Sequence, residues 1–226
     1  MPAGAVFFLK VCCIASVEEA RLAVAHGAAG LGLVSAMPSG PGVIDEDTIA
    51  EIVAAVPGEV ATFLLTSQTT AAGIVAQQRR TGANTLQLVD AVPAEQLRAL
   101  RVALPGVRLV QVIHVRDAGS LVEARSVASL VDALLLDSGD PGAVVRTLGG
   151  TGRVHDWAIS RQICEAVEIP VFLAGGLRPE NVADAVAAVR PAGVDVCSGL
   201  RTDGRLDADK LRRFAGALTL RAPIFA

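Results

Sequence analysis

A closed (β/α)₈ TIM barrel, an α/β fold of eight parallel strands each followed by a helix, is the architecture this sequence predicts. Three observations predict it. Apolar runs of strand length alternate with alanine-rich segments of helical period along the whole chain. Those runs are nearly continuously hydrophobic, which calls for a parallel sheet covered on both faces. Eight such units fit in 226 residues, the size of one barrel. An open doubly wound sheet would carry a glycine-rich dinucleotide turn after its first strand. Here that position reads Cys12-Cys13-Ile14-Ala15. No linker or low-complexity segment interrupts the pattern, so residues 1–226 read as a single domain.

The elements follow in order. The first apolar run, Val6–Ile14, is a strand broken only by Lys10, and the helical pattern Glu18–His26 after it ends at Gly27, a C-terminal capping residue. Ala29–Ser35 is the second strand and Asp47–Val56 the second helix, closed by Gly58. Glu59–Leu65 and Thr70–Arg80 form the third unit, closed by Gly82, and Thr85–Leu88 and Ala94–Leu104 the fourth, closed by Gly106. Arg108–His114 with Ser120–Val127, and Val131–Asp137 with Trp157–Val167, supply the fifth and sixth. Val171–Ala174 leads to a helix expected over Pro179–Val189, where proline suits the first turn. Val194–Cys197 and Ala208–Leu218 complete the eighth unit.

Composition excludes several classes of function. A net charge of −3, from 20 basic and 23 acidic residues, leaves no footprint for nucleic acid. Aromatic residues make up 3% with no tyrosine, so base-stacking platforms are not expected. No apolar run approaches the ~18 residues of a membrane helix. No basic leader with a small-residue cleavage site precedes the first strand, and the reading is a cytoplasmic protein. Cys12, Cys13, Cys164 and Cys197 match neither a zinc spacing nor a secreted disulfide framework.

Two glycine-bearing strand ends draw attention. The seventh strand runs into Ala174-Gly175-Gly176-Leu177, and the eighth into Ser198-Gly199. Backbone N–H groups exposed at such turns, near a helix N-terminus, suit a phosphate. Barrels characteristically hold phosphate after strands seven and eight. Gly175, Gly176, Ser198 and Gly199 are therefore the expected cradle, against the plainer alternative of tight turns with no ligand.

Chemistry belongs at the carboxyl ends of barrel strands. Alternation puts Lys10 and Cys12 on one face and Val11 and Cys13 on the other. Lys10 is expected inside, paired with Asp195 of the adjoining eighth strand. Cys197 shares the inward face with Asp195 and is expected near Cys12. Asp137 ends an otherwise apolar strand, either as a functional carboxyl group or as a cap for the next loop. Cys12 and Asp137 would face each other across the mouth as a base and an acid. The long loop 138–155, with Gly149-Gly150-Thr151-Gly152, is either a lid or an ordinary loop. Histidines 26, 114 and 155 are expected in capping or structural roles.

These residues give the chain a resemblance to the phosphoribosylanthranilate isomerase family over about Lys10 to Leu218. The family's Lys-Ile-Cys-Gly is similar to Lys10-Val11-Cys12-Cys13, and its Leu-Leu-Leu-Asp to Leu134 through Asp137. Its Gly-Gly-Thr-Gly and Asp-Trp resemble Gly149 through Gly152 and Asp156-Trp157. Its two glycine-bearing strand ends resemble Ala174 through Asn181 and Val194 through Gly199. The resemblance implies an Amadori rearrangement in tryptophan biosynthesis, with Asp137 as acid, Cys12 as base and no metal or organic cofactor. It also implies a phosphorylated small-molecule substrate, Gly152 and Arg201 in contact with it, and a monomer or homodimer.

The chain departs from the family around the substrate. The arginine that holds the anthranilate carboxylate is replaced by Gly42 in Gly40-Pro41-Gly42, the glycine after the cysteine by Cys13, and the acidic residue after strand eight by Arg201. The carboxylate is then held elsewhere, by Arg201 or Arg116, or the substrate lacks it. A third alternative is a non-catalytic barrel that binds a phosphorylated metabolite.

Overall fold

Eight strands hydrogen-bond in parallel and in sequence order, with the eighth returning to pair with the first in a closed barrel. The computed structural model describes residues 7–38, 40–138 and 156–219. The strands are β1 (Phe8–Val11), β2 (Gly30–Val34), β3 (Ala61–Thr66), β4 (Thr85–Leu88), β5 (Arg108–His114), β6 (Ala133–Asp137), β7 (Val171–Leu173) and β8 (Gly193–Val196). The helices are α1 (Val17–Ala25), α2 (Glu46–Ala55), α3 (Ala71–Thr81), α4 (Ala94–Ala103), α5 (Gly119–Val127), α6 (Trp157–Ala166), α7 (Val182–Val189) and α8 (Ala208–Thr219). No helix among the described residues is long and apolar enough to cross a membrane.

The near-continuous apolar strands serve two cores. Outward-facing Leu31, Leu33, Leu64, Leu86, Leu109 and Leu134 pack against helix residues such as Ile49, Ile74, Leu97, Ile163 and Phe214. Inward-facing Phe63, Leu65, Val110, Val112, Leu135 and Phe172 fill the barrel. Phe8, Phe63 and Phe172 meet with ring centroids 5.1–6.4 Å apart and plug the amino-terminal end. Burial of this kind contributes roughly 25 cal/mol per Å², and it leaves the carboxyl end of the barrel as the open one.

Lys10 is the exception inside that apolar interior, and its partner is the expected one. Its ammonium donates to Asp195 at 2.8 Å, across the β1–β8 register that sets the two residues side by side. Burial works against the charge, but Asp195, and to a lesser degree Cys12, outweigh it and raise the lysine pKa.

Helix starts are capped where short polar residues precede them. Ser16, Asp45, Thr70 and Asp156 accept from the backbone N–H of Glu19, Thr48, Gly73 and Ala158. The seventh helix starts at Val182 rather than Pro179. Asn181 closes a turn ahead of it, accepting from Arg178 N–H and donating to the Gly176 carbonyl. The first strand is also shorter than expected, because the chain leaves extended geometry after Val11.

One element is additional to the pattern read from the sequence. Between β8 and α8 lies a small antiparallel hairpin, β9 (Arg201–Thr202) and β10 (Arg205–Leu206). Its turn is Asp203-Gly204 with φ of 49° and 78°, the pattern an Asp-Gly pair favours in a tight hairpin.

Candidate active site

The carboxyl ends of β1, β6, β7 and β8 surround one cavity with about 620 Å³ of free space, including its opening to solvent. Cys12, Cys13, Asp137, Gly175, Gly176, Asp195, Cys197 and Ser198 line it. Cys12 and Asp137 reach it from opposite parts of the chain, as strand alternation requires. Asp137 is buried and its Oδ1 accepts from its neighbour, the Ser138 N–H, at 2.7 Å. Burial pushes its carboxyl above the ordinary carboxylate range, against the Ser138 N–H, His114 and Lys10, which favour the anion. A carboxyl group so placed keeps its proton to higher pH and can donate it. A negative charge formed on Cys12 would face the Lys10 ammonium beside it.

The glycine turns supply backbone rather than side chains. Gly175 and Gly176 have φ of 84° and 63°, a region that a side chain would strain. A Cβ at Gly199 would lie 2.0 Å from the Leu177 carbonyl oxygen, so the two turns approach each other too closely for any other residue. The N–H groups of Gly175, Gly176, Ser198 and Gly199 donate to no acceptor among the described residues. Gly175 and Gly176 are half-buried and line the cavity with the exposed Ser198, while Gly199 lines the neighbouring outer cleft. Backbone donors without an acceptor among the described residues are what an anion would use. On the outer side of these turns lies a second cleft, with Arg178, Lys210 and Arg213.

Cys13 corrects the simple alternation. Its φ is 61°, in the left-handed region, which turns its side chain back into the mouth instead of outward. It is Cys13, rather than Cys12, whose sulfur meets Cys197, at 2.7 Å. Gly42 rests against it, and a Cβ at position 42 would lie 2.5 Å from the Cys13 Cβ.

Arg201 is engaged away from the cavity. Its guanidinium pairs with Glu19 at 2.9 Å and donates to the carbonyls of Gly204 and Cys13. Burial works against the Glu19 carboxylate, yet Arg201 and the N–H groups of Leu206 and Ala15 hold its pKa low. The β9–β10 hairpin is thereby fastened to the start of α1. His114 faces the barrel interior and bonds the Val89 carbonyl through Nε2 at 3.0 Å, in keeping with a structural role. Gly152, the Gly149–Gly152 run and His155 lie outside the described residues.

Two contributors were not singled out from the sequence. Gln87 lines the cavity from β4, buried, with Oε1 lacking a protein partner. A lone polar residue at an inward position between Leu86 and Leu88 was the available signal. Met37, Gly40 and Pro41, from the loop after β2, also line it; the resemblance puts Gly40-Pro41-Gly42 beside the substrate, but Met37 was not singled out. Among the described residues, no group of three or more His, Cys, Asp or Glu side chains could hold a metal ion.

A closed parallel barrel with polar groups gathered at its carboxyl end has the architecture of the barrel enzymes. The sequence profile described as N-(5'phosphoribosyl)anthranilate (PRA) isomerase matches residues 9–217. N-(5'-phosphoribosyl)anthranilate isomerase of Methanocella arvoryzae is 35% identical over 197 residues, covering 87% of this chain and 90% of the relative. The crystal structure of the Thermotoga maritima enzyme superposes with a TM-score of 0.81 at 25% identity, covering 94% of this chain and 98% of that one. A phosphoribosyl anthranilate isomerase solved with reduced 1-(O-carboxyphenylamino)-1-deoxyribulose 5-phosphate has the same fold, with a TM-score of 0.78 at 23% identity and coverage of 94% and 98%. This chain belongs to the N-(5'-phosphoribosyl)anthranilate isomerase family.

Proposed function

We propose that this barrel isomerises an N-(5'-phosphoribosyl) arylamine to the corresponding 1-amino-1-deoxyribulose 5-phosphate, the reaction for which its relatives are named. The observation that carries the reading is the shared cavity: Cys12 and Asp137 line it together with Gly175, Gly176 and Ser198, whose N–H groups have no acceptor among the described residues.

The substrate's phosphate rests on the amides of Gly175, Gly176, Ser198 and Gly199. Asp137, protonated because it is buried, donates to the ribose ring oxygen, and the ring opens to a Schiff base. Cys12 then takes the proton from C2′, giving an enolamine. Ketonisation removes the enol proton at C2′ oxygen and adds one at C1′, and the proton taken by Cys12 is exchanged through solvent for the one Asp137 gave, which restores both groups and closes the cycle. The residues carry both proton transfers themselves, and phosphate binding holds C2′ in place between them.

Gly199→Ala tests the cradle. The added methyl collides with the Leu177 carbonyl and pushes the two turns apart. KM is expected to rise on the order of 10- to 100-fold, matching the loss of 1.5–3 kcal/mol of hydrogen bonding to a charged group. Steady-state kinetics check it, and an unchanged KM would place the phosphate elsewhere.

A second reading concerns the aryl group, and Gly42 favours it. Among the described residues, no arginine or lysine side chain lines the cavity. The position where the family carries its carboxylate-binding arginine is closed against Cys13. A site so built discriminates little between an acid and a neutral arylamine, since arginine is the usual bidentate partner of a carboxylate. Phosphoribosylanthranilate and its decarboxylated analogue are expected to have kcat/KM values within about tenfold of each other, less than one charge-assisted pair supplies. A strong preference for the acid would defeat this reading and leave the isomerisation itself standing.

A further inference from the structure

We propose that Cys13 and Cys197 form a redox-sensitive dithiol that closes into a disulfide at the mouth of the barrel and slows turnover at the site. The site itself stands on geometry alone; only its effect on turnover rests on the isomerase reading above.

The two sulfurs lie 2.7 Å apart although the residues are 184 positions apart in sequence. Closing to the roughly 2.05 Å of a disulfide moves them by well under an ångström. All four cysteines of the chain are free thiols. Cys164 sits on the outer helix α6, while Cys12, Cys13 and Cys197 share the cavity. Cys13 holds a left-handed backbone conformation, which a residue with a Cβ adopts only under strain. That conformation is what aims its thiol at Cys197. Cys197 is partly exposed, so an oxidant dissolved in the cavity reaches it first.

The chemistry divides unequally between the two thiols. Hydrogen bonding from Cys13, against the effect of burial, holds the Cys197 thiol below its ordinary pKa, and the Arg201 charge adds to this. Cys13 is pushed up, first by its hydrogen bonding with Cys12 and then by that with Cys197 and by burial. Cys197 is therefore the sulfur that meets a peroxide. Its thiolate attacks one peroxide oxygen, the O–O bond breaks, and a sulfenic acid and water result. Cys13 then attacks the Cys197 sulfur, its proton leaves with the hydroxyl as a second water, and the disulfide forms. Two thiols are oxidised and one hydrogen peroxide is reduced to two waters.

The bridge would tie the residue after Cys12 to the residue before Ser198-Gly199. Gly42, packed on Cys13, moves with it. A displacement of about 1 Å at a reacting centre lowers turnover on the order of 10²-fold, so a shift of a few tenths of an ångström beside Cys12 is expected to lower it several-fold.

The test uses the full chain treated with a few equivalents of hydrogen peroxide, then blocked, digested and mapped by mass. The expected result is a peptide pair joined through Cys13 and Cys197, two hydrogens lighter than the thiols. Turnover falls by roughly three- to tenfold and returns with dithiothreitol. Cys13→Gly, which relieves the left-handed strain, and Cys197→Ser are each expected to abolish the crosslink, with no dithiothreitol-reversible change in that variant's own rate. A bridge that involves Cys12, or Cys13 and Cys197 both still alkylatable after oxidation, would overturn the proposal. So would a crosslink that forms without lowering turnover. If the isomerase reading fails, the crosslink map still decides whether the dithiol exists.

Discussion

Cys12→Ala and Asp137→Asn each lower kcat on the order of 10²- to 10⁴-fold, the contribution of one positioned acid or base. KM changes little in either variant, because the phosphate is held by backbone amides that neither substitution touches. The two defects differ in their pH profile. If Asp137 acts as the proposed acid, the wild-type rate is expected to fall as pH rises through the pKa of its carboxyl group, which burial raises. Asparagine has no proton to lose there, and that limb disappears from the Asp137→Asn profile. Steady-state kinetics across pH, with binding of a phosphorylated product analogue measured by calorimetry, check both points. A barrel that merely binds a metabolite would show no turnover for either substitution to remove.

Lys10→Met lowers the free energy of unfolding by about 3–5 kcal/mol, the usual consequence of removing one member of a buried ion pair. Lys10 is fully buried and Asp195 nearly so, 2.8 Å apart at the join between β1 and β8. Methionine fits the volume but leaves the Asp195 carboxylate facing an apolar barrel. Because the lysine pKa is raised in the folded chain, the part of the stability that the Lys10 charge contributes is fully present from neutral pH up to the ordinary lysine value. It is lost only as pH climbs through the raised one. Urea denaturation at neutral pH measures the difference, and a loss below about 1 kcal/mol would mean that the pair is weak, as exposed pairs are.

The barrel was legible because every strand is buried on both faces, so hydrophobic runs and glycine-capped helices punctuate the chain regularly. Cys12, Asp137 and the two glycine turns were legible for a related reason. They sit where apolar strands stop, and a barrel places those ends together. Lys10 and Asp195 followed from alternation alone. Alternation failed at Cys13, where one dihedral angle reversed the side chain after β1 had already ended. Arg201 was placed beside the substrate by the family resemblance, where it aligns with an acidic residue after strand eight. The Asp203-Gly204 hairpin turn that fastens it to Glu19 was present in the sequence and was not weighed. The wall made by Met37, Gly40 and Pro41 depends on how a loop folds back, which no periodicity encodes.

The most direct test of the shared cavity is a crystal structure of this chain with reduced 1-(O-carboxyphenylamino)-1-deoxyribulose 5-phosphate. The phosphate is expected within about 3 Å of the amide nitrogens of Gly175, Gly176, Ser198 and Gly199, with Cys12 and Asp137 flanking the C1′–C2′ bond. A phosphate seated in the outer cleft between Arg178, Lys210 and Arg213, with the sugar away from both side chains, would contradict the account.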